Sequence, residues 1–317
     1  MIQQGITGAM LRGKRFRRIF AGVYTEDRIP DSELLRFDAV RLIAPDCWAM
    51  CHTAAAIYGL PVPPEPLTHI GLPPGKTWPR DPRLRRHRHE ESPVVVRVDD
   101  RPVSCPTDVF LRLAEHLSLL DLVVVGDALV RRGFTTPGEL VVVSDRAGGR
   151  WVRHARRAAA LVRERVDSPK ETELRLLLVL AGFPEPETNV NVLDDSGGWI
   201  ARADLVYKVF KIALEYDGRQ HVNDPKQWTR DIRRRELLDA AGWRTLVVTS
   251  RDLARFPSQT LARVALVLRE RYCQDVPTLI APDLSMYASP GSDRDVSLRR
   301  GREPHQAKPS ASGERAA

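Results

Sequence analysis

Apolar residues recur at helical spacing in two early stretches. Over 33–44 they are Leu34, Leu35, Val40 and Leu42; over 51–58 they are Ala54, Ala55 and Ile57, with Gly59 placed to close the second helix. Residues 61–106 are rich in proline and read as strands and loops. Residues 107–131 again read as a helix, ending at Arg131-Arg132-Gly133. A loop is predicted over 143–150, then an Arg/Ala-rich helix over 151–165. From residue 168 the pattern tightens. Ser168-Pro169-Lys170-Glu171 has the form of a capping box, opening an apolar helix that Gly182 closes. Strands follow over 188–193, 200–207 and 211–217, with a turn at 194–198. A loop through Asn223-Asp224-Pro225 leads to a helix over 226–241 and a strand over 243–249. Helix, three strands, helix, strand is an α/β (α+β) unit built on a mixed sheet. Residues 285–317 hold almost no large apolar side chains, cannot offset their ordering entropy and are expected to be disordered.

Composition narrows the class. The chain has 317 residues, enough for two domains, and a formal net charge of +8. That charge suits a polyanion partner, although 42 of its 49 cations are arginine, a skew that codon usage in a GC-rich genome also produces. The longest apolar runs, such as Leu176–Ala181, fall far short of the roughly 18 residues a membrane span needs. No basic segment followed by an apolar one opens the chain. Four cysteines make no disulfide framework. A cytoplasmic protein without a membrane partner is expected. Cys47, Cys51 and His52 invite a zinc reading, but no second ligand pair stands at finger or ribbon spacing, so buried free thiols are expected. Gly71-Leu72-Pro73-Pro74-Gly75-Lys76-Thr77 is no phosphate loop: its glycines are one residue too close, and its prolines lack the N–H groups that would cradle phosphate.

The chemistry concentrates in the strands of the second half. Alternation places Ile212, Leu214 and Tyr216 on one face of 211–217 and Ala213, Glu215 and Asp217 on the other. If 208–211 form a four-residue hairpin loop, Tyr207 pairs with Ile212 and Asp204 comes opposite Glu215. Carboxylates so placed repel. They call for a shared proton, a nearby arginine or a divalent cation such as Mg²⁺, which takes carboxylate oxygens, waters and phosphates. An ion pair with Arg202, Arg230 or Arg233 is the structural alternative. Glu171 either only caps its helix or caps and serves the site. Arg230, Arg233, Arg234 and Arg235 share a helix, as a solvated face or, for one or two of them, as phosphate contacts.

The run Glu171, Asp204, Glu215-Tyr216-Asp217-Gly218-Arg219-Gln220-His221, then Trp228, Arg230-Asp231, Arg234 and Gly242-Trp243, resembles the Vsr-like endonuclease domains of the PD-(D/E)XK superfamily, a type found in many actinobacterial proteins. The resemblance covers roughly 168–255. It implies a restriction-endonuclease-like mixed sheet and Mg²⁺- or Mn²⁺-dependent DNA cleavage. By position it implies Asp204 and Glu215 as metal ligands, Glu171 as the helical acid that positions water, and His221 as an acid or base near the scissile phosphate. Arg219, Gln220, Arg230 and Arg234 would face DNA. Asp217 stands where the family carries lysine. The segments Arg17–Tyr24, His52–Pro61 and Val125–Leu129 resemble the AbiEi-type antitoxin and transcriptional-regulator region. The expected organisation is a truncated basic winged-helix-like segment (1–30), an antitoxin-like α+β domain (31–142), a linker and helix (143–167), a Vsr-like domain (168–284) and a tail (285–317). The expected activity is metal-dependent hydrolysis of DNA phosphodiesters. The alternative is a non-catalytic DNA-binding regulator that keeps a degenerate nuclease fold.

Overall fold

A computed structural model describes residues 6–77, 79–87, 94–194, 196–218 and 225–289, with backbone alone over 225–231. After a one-turn helix α1 (Gly8–Leu11), strands β1 (Phe16–Phe20) and β2 (Val23–Glu26) form a hairpin in the basic N-terminal segment, with Arg18 opposite Tyr24. Gly22 makes its turn at φ +78°, a conformation that glycine alone adopts without cost. Ile19, Phe20 and Val23 anchor the hairpin in the core.

Helix α2 (Glu33–Ile43) starts where the Ser32 hydroxyl accepts the Leu35 N–H at 3.2 Å. Strand β3 (Trp48–Ala49) and helix α3 (Cys51–Ile57) follow. With β4 (Thr68–Gly71), β5 (Leu84–His87), β6 (Val95–Val98) and β7 (Arg101–Ser104) they build a five-stranded mixed sheet ordered β5-β4-β3-β7-β6. Gly71 lies under Trp48: a Cβ there would come within 2.3 Å of the indole. Lys76 pairs with Asp46 at 2.7 Å. The glycine–lysine run thus begins in a strand and ends in a salt bridge.

Helices α2 and α3 pack on this sheet; α4 (Pro106–Leu113), α5 (Leu119–Arg131), α6 (Pro137–Arg146) and α7 (Val152–Leu161) follow and pack on one another, with α4 against α3. Two expectations are corrected here. The single helix over 107–131 is two, because Ser118 caps a new start by accepting the Asp121 N–H at 3.1 Å. The loop expected from 143 begins only at 147, because a capping box at Thr136 and Glu139 launches α6 upstream.

The second half holds α8 (Pro169–Leu180), β8 (Glu187–Leu193), β9 (Trp199–Tyr207), β10 (Ile212–Asp217), α9 (Pro225–Ala240), β11 (Arg244–Thr249), α10 (Ser250–Arg255) and α11 (Pro257–Glu270). Its sheet runs β11-β10-β9-β8, antiparallel except for the parallel β10–β11 pair. Leu205, Tyr207, Ile212 and Leu214 join Leu174, Leu177 and Leu268 in the main core. Val206 and Ala213 pack instead with Leu238 of α9 and Trp243. The sheet is thus covered on both faces, as a mixed sheet with a crossover helix requires.

Core and electrostatics join the halves. Asp127 of α5 is 2% exposed and Arg175 of α8 is 0% exposed, and they pair at 3.1 Å. Asp127 also accepts from Thr172 at 2.8 Å and from the Arg163 N–H at 2.7 Å. Gly126 beside it is packed so closely that a Cβ would meet Val162 at 2.3 Å. The expected tail boundary at 285 also moves. Met286 is fully buried, and Tyr287 donates its hydroxyl to Glu173 at 2.8 Å. The tail from residue 290 lies outside the described residues. Among the described residues no helix is long and apolar enough to cross a membrane.

Candidate active site

The hairpin register decides the site, and it is the one that a four-residue loop over 208–211 entails. Tyr207 pairs with Ile212, Val206 with Ala213 and Leu205 with Leu214. Between the strands, Lys208–Phe210 make a 3₁₀ turn, and Lys211 returns the chain at φ +48°. One step further along, Asp204 stands against Glu215. Backbone pairing between β9 and β10 stops there, because the Asp204 carboxylate itself takes the next N–H, that of Tyr216, at 2.8 Å.

Asp204, Glu215 and Asp217 line one cavity of about 100 Å³ with Tyr216, Arg234, Arg235 and Val247. Burial pushes the Asp204 carboxyl up to about 6, and the negative charges of Glu171 and Glu215 push the same way. The Tyr216 N–H and the Arg234 charge oppose that rise without cancelling it. Glu215 is 7% exposed. Its Oε2 accepts from Arg234 Nη2 at 2.5 Å, while its Oε1 is buried with no hydrogen-bond partner among the described residues. A buried carboxylate oxygen left unpaired is costly, and a cation or a bound donor would satisfy it. One desolvated aspartate and one half-satisfied glutamate suit a hard divalent cation completed by water or phosphate oxygens.

Two expectations change. Glu171 does not line this cavity. Its Oε2 accepts from the Asp167 N–H at 3.0 Å and from Asn189 Nδ2 at 2.7 Å. The capping box is therefore half made: Ser168 accepts the Glu171 N–H, but the glutamate reaches back to Asp167 rather than to Ser168. Among the described residues the three carboxylates do not bring their oxygens within 4.8 Å of one another. Arg234, expected on the phosphate, is instead the ion-pair partner of Glu215. Arg202, one of the alternatives, pairs with Asp167 at 2.9 Å, and Arg233 is exposed. Arg219, Gln220 and His221 lie outside the described residues, as does the side chain of Arg230.

Asn189 was not legible beforehand. It sits on β8 between the Thr188–Leu205 and Val190–Ala203 pairs, hence beside Asp204, in the left-handed region at φ +47°. Its amide ties Glu171 to the carbonyl of Arg165, at 2.6 Å. An asparagine in a strand, where its propensity is poor, was the available signal.

No protein-family model matches the chain, and no solved structure matches it. Two proteins of Mycobacterium tuberculosis are similar to it: "Uncharacterized protein MT2308" of strain CDC 1551 / Oshkosh and "Uncharacterized protein Rv2248" of strain ATCC 25618 / H37Rv. Each is 27% identical over 255 residues, which cover 78% of this chain and 90% of the relative. The chain is thus similar to these two over most of their length, and their names attach no activity to it.

Proposed function

We propose that this protein is a DNA endonuclease-like hydrolase that cleaves phosphodiester bonds with a divalent metal. The observation that carries the reading is the Asp204–Glu215 juxtaposition in one cavity, with Glu215 Oε1 buried and unsatisfied among the described residues. The frame agrees with it: helix, three antiparallel strands, crossover helix and parallel strand, in the order of the restriction-endonuclease-like fold. A Mg²⁺ or Mn²⁺ ion held there would supply Lewis acidity to the scissile phosphate and lower the pKa of the attacking water.

The chain's own residues would divide the work. Asp204 and Glu215 offer the two protein oxygens. Arg234 and Arg235, on the cavity wall, are placed to meet a phosphate, Arg234 exchanging its hold on Glu215 for the substrate. Glu171 is a positioning residue that acts through Asn189. Asp217 stands where the family carries lysine, so water activation cannot rest on that lysine and falls to His221, Gln220 or a second metal. DNA is the partner and the cytoplasm the expected compartment. The first half is an antitoxin- or regulator-like domain in this reading.

The test is incubation of supercoiled plasmid with the protein and Mg²⁺ or Mn²⁺. Wild type should nick or linearise it, and Asp204→Asn and Glu215→Gln should not. Equal cutting by all three would remove the catalytic claim. The Arg234–Glu215 ion pair and Asp217 at the lysine position favour one alternative, a DNA-binding regulator that does not cut. That protein would bind DNA in a salt-dependent way, without metal, and leave the plasmid intact.

A further inference from the structure

A second group of metal-ligating side chains lies far from the carboxylates, on the five-stranded sheet. Cys51 opens α3, His69 sits in β4, His87 ends β5, and His116 lies in the turn between α4 and α5. Each contributes one ligand atom, and the four atoms all lie within 4.8 Å of one another. Cys51 Sγ is 3.7 Å from His87 Nε2, and His69 Nδ1 is 3.0 Å from the same nitrogen. A tetrahedral ion with bonds of about 2.3 Å to sulfur and 2.0–2.1 Å to nitrogen sets its ligands roughly 3.6 Å apart for S–N and 3.3 Å for N–N. The observed spacings bracket those values.

The local hydrogen bonding is incomplete without an ion. Among the described residues His116 Nε2 is buried with no hydrogen-bond partner, and His69 is only 2% exposed. His69 stacks on His87 with ring centroids 5.0 Å apart and meets His116 edge-on at 5.4 Å. Three imidazoles packed against a thiol leave several lone pairs facing one another, an arrangement that a cation resolves. Cys51 holds φ +43°, rare for a residue with a Cβ, and that backbone turn sets its sulfur toward the rings. His69 belongs also to a second group, with His52 and Glu65, whose ligand atoms lie within 4.8 Å of one another. A metal-bound histidine commonly gives its other N–H to a carboxylate, and Glu65 is the acid beside this ring.

We propose that Cys51, His69, His87 and His116 bind one zinc ion in a closed structural site. One thiolate and three imidazoles fit a borderline-soft ion of tetrahedral habit, whereas Mg²⁺ would prefer oxygen. Binding replaces the Cys51 S–H bond with an S–Zn bond and releases the proton to solvent. The four ligands come from four chain segments, so the ion would cross-link β4, β5, α3 and the α4–α5 turn. The site does not depend on the nuclease reading, and its failure would leave that reading intact.

The test uses the full chain, stripped by chelator and then titrated with Zn²⁺ or Co²⁺. Elemental analysis should find one zinc per chain after excess metal is removed. The cobalt form should show intense tetrahedral visible bands with a near-ultraviolet sulfur-to-cobalt charge-transfer band. Cys51→Ser should abolish the charge-transfer band, and His116→Gln should weaken zinc binding at least tenfold. Cys273→Ser, a buried thiol in the other half, should change neither. Zinc far below one equivalent, or a cobalt spectrum without the sulfur band, overturns the proposal. So does stoichiometric zinc that survives in both ligand variants. If a ligand variant does not fold, the wild-type stoichiometry and cobalt spectrum decide alone.

Discussion

The two sheets each gather metal-ligating groups, by opposite routes. On the four-stranded sheet the acids Asp204 and Glu215 come from adjacent strands joined by a short turn, and alternation alone aims them at one cavity. On the five-stranded sheet Cys51, His69, His87 and His116 come from separate segments that meet only through the tertiary fold. The first set is oxygen, shares its cavity with two arginines and suits a hard ion. The second is sulfur and nitrogen, its ligands bury one another, and it suits an ion that holds structure. In the proposed reading, donor chemistry and access, not the mere clustering of titratable groups, would separate a site for turnover from one for stability.

The largest expected effect tests whether the two halves are one unit. Asp127→Ala strips the buried Arg175 of its main-core partner and should cost about 3–5 kcal/mol. Chemical denaturation should then show a single, shifted transition. Two transitions would mean that the halves fold apart. Next is metal removal: zinc at a hundredfold excess over its dissociation constant should stabilise the chain by about 2.7 kcal/mol, and Mg²⁺ should not substitute, as a thermal melt would report. Arg234→Ala leaves Glu215 buried and unpaired, and should cost roughly 1–3 kcal/mol of stability in metal-free protein, with part recovered on adding Mg²⁺.

The smallest effect is in the pH dependence. The Asp204 carboxyl rises from 3.8 to about 6 on folding, so the folded state holds that proton more tightly. The stabilisation this gives is complete below pH about 4 and is lost as pH rises through about 6. In metal-free protein Asp204→Asn should therefore be more stable than wild type at pH 7, by about 1–2 kcal/mol after allowing for solvent screening. The advantage should vanish in acid. Urea titrations across that range would check it, and a variant no more stable than wild type at pH 7 would deny the strain assigned to this acid.

Much of the second half was legible because its signals are local. Period 2 and a four-residue turn fixed the Tyr207–Ile212 register, and Ser168 with Pro169 announced α8. What escaped depends on contacts distant in the chain. Nothing nearby marks Arg234 rather than Arg202 or Arg233 as the partner of Glu215, since the choice is made by how α9 packs on the sheet. The sequence leaves Glu171 as either a cap or a cap that also serves the site, and Asn189 at a left-handed position takes its carboxylate. Helix α4 looked continuous with α5 because Leu113, Leu117 and Leu120 keep an apolar pattern across the break at Ser118. Cys51 was weighed against Cys47 and His52, its sequence neighbours. Its spatial neighbours His69, His87 and His116 stand at no recognisable spacing; the order of β4 and β5 in the sheet and the α4–α5 turn bring them to it.

The most direct test of the central claim is to count Mn²⁺ on the zinc-loaded full chain by electron paramagnetic resonance, near neutral pH and without DNA. The account predicts one bound Mn²⁺ per chain, displaced by Mg²⁺, and its loss in both Asp204→Asn and Glu215→Gln. No Mn²⁺ on the wild type, or the same Mn²⁺ on all three proteins, would contradict it.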